Sequence, residues 1–230
     1  MSSVGDEIGR QNRTVEVRFC PADDTSQTKP YRSGTILVVS LLDRLLEAAG
    51  EQRGYVTPAD ASRVGVDPVE LRKMAARGRL ERVGHGVYRL PTFPHRPDDE
   101  LMAAVLWTGK RGVVGGASAL ALHRLCDVNP RWVDLIVPPG YRPRKAGGER
   151  YRVVHGRLGP ADVDVVDDIP VVVPAVAIRQ AIATAIDPRL VEQAITEARR
   201  RGDIDVAGEE QLRDEAVRAR ERSASNRASA

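Results

Sequence analysis

Two helix starts of the same kind stand ten positions apart in this chain, at Thr57-Pro58 and Asp67-Pro68. In each, a short polar side chain can accept a backbone N–H of the first turn, and the proline that follows has no N–H to lose. Asp60, three residues after Thr57, comes close to a capping box. The spacing predicts a short helix to Arg63, about two turns long, a break at Gly65, and a third helix to Arg77 closed by Gly78. Ahead of this pair, Ile36, Leu37, Val38, Leu41, Leu42, Leu45, Leu46 and Ala49 recur at helical spacing up to Gly50. Behind it, Leu80–Val83 and Val87–Leu90 alternate as strands around Gly84-His85-Gly86, a hairpin signal. Helix, helix–turn–helix, hairpin is the order of parts in a winged helix-turn-helix, here over residues 35–91.

A chain of 230 residues with 42% hydrophobic content can bury a core, and with 4% aromatics that core is Val, Leu, Ala and Ile. Cys20 and Cys126 form no CxxC pair, which fits a reducing compartment rather than a disulfide framework. The longest apolar run, Ile169–Ile178, contains two prolines and is too short to span a bilayer. No apolar segment near Met1 resembles a secretory signal. A cytoplasmic, nucleoid-associated protein with no membrane partner is expected. Residues 1–34 mix five basic and five acidic groups and read as a disordered tail, and 205–230 as a helical or frayed one.

Pro91, Pro94 and Pro97 mark a stiff linker into a second block, 98–204. Helices are expected at 98–108 with Asp98 as cap, 117–125, 175–186 and 188–201. Strands are expected at 132–137, 151–155, 162–166 and 169–173. The fold class is therefore α+β: a winged helix-turn-helix followed by a mixed α/β domain with a helical C-terminus.

At 100° per residue, Leu71, Met74 and Ala75 of the third helix fall on one face and should pack inward. Val69, Arg72, Lys73 and Ala76 fall opposite, with Arg77 at the edge. In a helix-turn-helix the second helix of the pair enters the major groove, where Arg and Lys reach guanine or phosphate and small apolar groups meet thymine methyls. The hairpin brings Arg79, Arg82 and Arg89 alongside, with His85 at the wing tip. Pro68–Leu90 holds six basic groups against two acidic ones, Glu70 and Glu81. The competing readings are a solvated amphipathic face and a winged helix used for protein contacts. A second basic stretch, Arg142, Arg144 and Lys145 with Arg150, Arg152 and Arg157, is a candidate for phosphate or partner contacts. Asp162, Asp164, Asp167 and Asp168 follow it, either neutralising that loop or sitting at strand edges.

No phosphate-binding loop, metalloprotease or hydrolase motif is present. His123 and Cys126 lack further ligands in sequence and read as structural. Asp164 and Asp167 lack a lysine at nuclease-like spacing. Gly115-Gly116-Ala117-Ser118 could cradle an anion but reads better as a tight turn. No catalytic residue, metal or cofactor is expected.

The stretch Gly54-Tyr55-Val56-Thr57 through Gly86-Val87-Tyr88-Arg89-Leu90-Pro91 resembles the N-terminal region of AbiEi-type antitoxins. The resemblance continues through Leu101–Leu106, Gly116–Leu125, Val133–Pro138 and Asp168–Val171. It implies one half of a type IV toxin–antitoxin pair. The winged helix would bind inverted repeats in double-stranded DNA upstream of the operon and repress it. The second domain would counteract a nucleotidyltransferase-like toxin without a strong stable complex. Arg72, Lys73, Arg77, Arg79, Arg82 and His85 match the family's DNA-binding helix and wing. One departure is Val172–Ile178, wholly apolar where relatives often carry Thr and Arg. The alternative is a stand-alone regulator whose second domain senses a signal or dimerises.

Overall fold

Capping chemistry sets the first half of the fold. The structure is a computed structural model and describes residues 40–143 and 147–228. The tail 1–34, the apolar residues 36–38, Arg144 and Lys145 lie outside the described residues. Helix α1 (Leu41–Gly50) opens on Ser40, whose hydroxyl accepts from Asp43 N while Asp43 accepts from Ser40 N. Strand β1 (Tyr55–Val56) leads into α2 (Pro58–Arg63), where Thr57 and Asp60 make a full capping box. Gly65, at φ +71°, turns the chain in the left-handed region before Asp67 caps α3 (Pro68–Ala76) through Val69 N at 2.8 Å. Strands β2 (Glu81–Gly84) and β3 (Val87–Arg89) form the hairpin. Together with β1 they make an antiparallel sheet in the order β1-β3-β2.

Alternation along β1 and β3 buries both faces of these strands, while β2 at the sheet edge is exposed. Val56 and Tyr88 join Leu45, Ala61, Val66, Leu71, Met74, Leu80 and Leu90 in one core beneath α1–α3. Tyr55 and Val87 point the other way, into the core of the second block. Leu71 is fully buried, so Leu71→Ala should cost about 2–5 kcal/mol, read as a loss of unfolding free energy in denaturant.

The second block is built on a five-stranded sheet. Helix α4 (Asp99–Trp107) precedes β4 (Val113–Val114), α5 (Gly116–Leu122), β5 (Val133–Val137), β6 (Tyr151–His155), β7 (Val163–Val166) and β8 (Ile169–Val172). Helices α6 (Pro174–Ala183), α7 (Pro188–Arg201) and α8 (Val206–Ala228) follow. The strand order is β6-β5-β4-β8-β7, with β5·β6 and β4·β8 parallel and the other pairs antiparallel. The fold class is α+β. The expected helices and strands are present with ends shifted by a few residues. Asp98 makes no side-chain cap bond; Asp99 instead accepts from Arg96 N at 3.0 Å. Helix α6 stops at Ala183, where the Thr184 hydroxyl donates back to Gln180 O and Ala185 turns at φ +53°. Leu212 and Ala216 of α8 are buried against the rest of the domain.

Two polar ties join the blocks across the sheet. On one side Lys110 Nζ donates to Asp60 Oδ1 at 2.7 Å, while Thr57 holds the other carboxylate oxygen. Burial pushes the Asp60 carboxyl up, but the bonds from Lys110 and Thr57 outweigh it and hold the group below its ordinary value of 3.8. A depressed carboxylate stabilises the fold above its unfolded pKa and loses that contribution as pH falls through the folded one. Acid titration should therefore erode stability below about pH 4 in the wild type, and less steeply in Asp60→Asn, measured by denaturant unfolding across pH.

On the other side lies a buried charge cluster. Arg53 and Arg89, 3% and 1% exposed in their side chains, face Asp99 at 3.8 and 4.0 Å. Arg89 also donates to Phe93 O at 2.5 Å and to Glu81 at 3.2 Å. Among the described residues, Arg53 Nε and Nη1, Arg89 Nε and Asp99 Oδ1 have no hydrogen-bond partner. Tyr55, beside them, has its phenol pushed up to about 12, by burial first and by the Asp99 charge second.

Candidate nucleic-acid interface

Helix α3 separates its faces as its sequence dictates. Leu71 and Met74 are buried, and Val69, Arg72, Lys73, Ala76 and Arg77 are exposed. Arg79 leaves the helix through the Gly78 turn, and Arg82 stands on β2. Both are exposed, as is His85 at the hairpin tip. Val83 on β2 and Val69 on α3 are 46% and 38% exposed, so the surface carries apolar as well as cationic groups.

Arg89 does not belong to this surface. The expectation that it stands beside α3 is corrected by its 1% exposure. It lies in register with Tyr55 and Glu81, on the sheet face turned toward α4. Strand parity, not charge, decides its direction: it shares a face with Val87, whose side is buried.

Pairing inside the unit shows which charges stay available. Glu70 takes Lys73 at 2.6 Å, and Glu81 takes the buried Arg89. Both local acids are thus matched. Arg72, Arg77, Arg79 and Arg82 have no ion-pair partner among the described residues. The net positive charge expected from the sequence is carried by these four exposed guanidiniums. Such groups can donate in bidentate fashion to guanine or to phosphate.

The second basic stretch is more heavily committed. Arg150 pairs with Glu100 at 3.3 Å, though 72% exposed. Arg152 donates twice to the buried Asp134, at 2.5 and 2.8 Å. Arg142 is exposed beside Tyr141, whose hydroxyl donates to Thr108 O at 2.5 Å. The aspartates that follow do not neutralise this stretch: Asp164 lies on β7 and Asp167-Asp168 form the β7–β8 turn, at the far edge of the sheet.

The start of α5 is filled by the protein itself. Gly116 N donates to Gln180 Oε1 at 2.7 Å and Ala117 N to Asp134 Oδ2 at 3.1 Å. A side chain at Gly116 would put its Cβ 2.7 Å from Asp134 Oδ2, and φ there is +52°. His123 Nε2 bonds Val172 O at 2.8 Å, and burial pushes the Cys126 thiol up. Among the described residues, no three His, Cys, Asp or Glu converge as a metal site.

Residues 43–91 match the model of a family described as "Transcriptional regulator, AbiEi antitoxin". That segment runs from α1 to the end of the hairpin and contains every residue of the candidate interface on α3 and the wing. The AbiEi-type resemblance is thereby supported for this part of the chain. Among curated proteins, none matches. The crystal structure of the RV2827C protein from Mycobacterium tuberculosis aligns at 17% identity and a TM-score of 0.48, covering 75% of this chain and 70% of that one. No helix among the described residues is long and apolar enough to cross a membrane.

Proposed function

We propose that this chain is a non-enzymatic antitoxin and autorepressor of a type IV toxin–antitoxin pair. Residues 40–91 act as a winged helix. Helix α3 enters the major groove of operator DNA, with Val69, Arg72, Ala76 and Arg77 toward base edges and Lys73 toward phosphate. Arg79, Arg82 and His85 follow the adjacent backbone, and Arg142 and Arg150 are secondary contacts. The resemblance further implies inverted repeats upstream of the chain's own operon as the target and a nucleotidyltransferase-like toxin as the protein counteracted. The observation that carries the reading is the set of four unpaired, exposed arginines on α3 and the wing within the family match.

Lys73 is held by Glu70, so its contribution should be smaller than that of an unpaired arginine. Lys73→Ala should weaken binding to all DNA by a similar factor and lower the salt slope by about one. A change confined to one DNA sequence would instead make Lys73 a base reader.

Two assays test the repressor arm and the toxin arm separately. A reporter behind the chain's upstream DNA should be repressed by the wild type and derepressed by Arg72→Ala. Growth arrest by the co-encoded toxin should be relieved by both proteins. Repression without relief would instead identify a stand-alone regulator. Relief without repression would leave the winged helix as a protein-contact module.

A further inference from the structure

The five-stranded sheet ends in two strands of opposite character. At one end is β6, whose side away from β5 has no strand partner among the described residues. Arg150 and Arg157 flank it, both exposed, and Arg152 stands within it. Val154 on β6 is 51% exposed, and Trp132, at the foot of neighbouring β5, is 42% exposed with the Arg131 guanidinium 5.2 Å from its ring centroid. At the other end is β7, which has no partner beyond β8 among the described residues. It presents Asp164, with Asp167 and Asp168 in the adjoining turn; all three are exposed and have no ion-pair partner among the described residues. Val165, between them, is 62% exposed. Four strand spacings, roughly 19 Å, separate the two edges.

Register places the apolar groups. Val154 lies opposite Ile136, and Ile136 opposite Val113. Val165 lies opposite Pro170, one step from Val171, which pairs with Val114. Alternation therefore puts Val154 and Val165 on one face of the sheet, at its two ends. Charges on free edges normally prevent strands from pairing with other chains. Edges of the same sign do this against a second copy as well; edges of opposite sign leave one pairing open.

We propose that the β6 edge of one copy docks on the β7 edge of another, a head-to-tail contact between copies of this chain. Arg157 meets Asp164, Asp167 and Asp168, Arg150 joins it by exchanging Glu100, and Val154 lies beside Val165. The contact is heterologous: each copy uses one edge and leaves the other free, so association continues beyond two copies. A two-fold arrangement would bring like edges together and is disfavoured by their charge. The inference rests on the sheet alone and not on the DNA-binding reading.

The test is sedimentation of the full chain from micromolar to submillimolar concentration, in low and in high salt. The wild type should associate reversibly and fall apart as salt rises. Asp164→Lys with Val165→Lys cancels the negative charge of the β7 edge, and Val154→Glu with Arg157→Glu cancels the positive charge of the β6 edge. Each variant alone should associate at least about tenfold more weakly than the wild type. Their equimolar mixture should associate again, because each supplies the edge that the other needs. All four positions are exposed, and equal unfolding midpoints check that the variants fold; Asp164→Asn and Arg157→Gln replace any that does not. A wild type that stays monomeric in low salt, a variant that associates undiminished, or a mixture that stays monomeric overturns the proposal.

Discussion

Asp99→Ala should remove about 3–5 kcal/mol of stability, the loss expected when one partner of a buried ion cluster is deleted. Among the described residues, Asp99 is the one buried carboxylate facing Arg53 and Arg89, and both guanidiniums are nearly inaccessible to water. Without it, two positive charges remain at the joint between the hairpin sheet and α4. Glu81 and Phe93 O still receive Arg89, but Arg53 is left with no carboxylate partner among the described residues. A domain's whole stability is only about 5–15 kcal/mol, so the variant should lose much of its unfolding free energy in urea. It should also be cut faster by protease in the 91–98 connection, where the two blocks would come apart. Arg53→Met combined with Asp99→Leu should recover part of the loss, since apolar replacement of a buried ion group is often neutral or better. A loss under about 1 kcal/mol for Asp99→Ala would show that the cluster is solvated and is not what joins the blocks.

Arg72→Ala should reduce the preference for the chain's own upstream DNA over scrambled DNA by about 1–3 kcal/mol, or roughly fivefold to 150-fold. Arg72 is exposed at the centre of the outward face of α3 and has no carboxylate to compete with DNA. Its loss should leave stability unchanged, because it packs against nothing in the core. Equal preference in Arg72→Ala and wild type would move the reading surface off α3.

The helix pair and hairpin of residues 57–90 were legible because their signals are local. Thr57-Pro58, Asp67-Pro68, Gly65 and Gly78 each act within one turn of chain, and each performs in the structure the role that its chemistry suggests. The 3.6-residue period of α3 likewise separates Leu71 and Met74 from Arg72 and Lys73 without reference to anything distant. Strands β1 and β4 leave no signal in the sequence because each is two residues long, too short for alternation to register. Yet Val113-Val114 lies at the centre of the second sheet, and its pairing to β5 and β8 is made wholly by distant residues.

Arg89 shows a different limit. Charge suggested the surface, whereas Val87, Tyr88 and Leu90 around it are apolar at both parities, which marks a strand covered on both faces. That pattern could have predicted burial of Arg89. Its partners, Arg53 and Asp99, could not be found this way, because they meet only when α4 packs across the sheet. The aspartates after the basic stretch illustrate the same point. Adjacency in sequence suggests neutralisation, but the crossing order β6-β5-β4-β8-β7 carries them to the opposite edge.

Binding of the purified full chain to its own upstream DNA and to scrambled DNA, across a salt series, tests the central claim most directly. Tighter binding to the upstream DNA is predicted, with an affinity for both DNAs that falls steeply as salt rises and a wild-type preference that Arg72→Ala relaxes. Equal affinity for the two DNAs at every salt concentration would contradict the account of α3 and the wing as a sequence-reading surface.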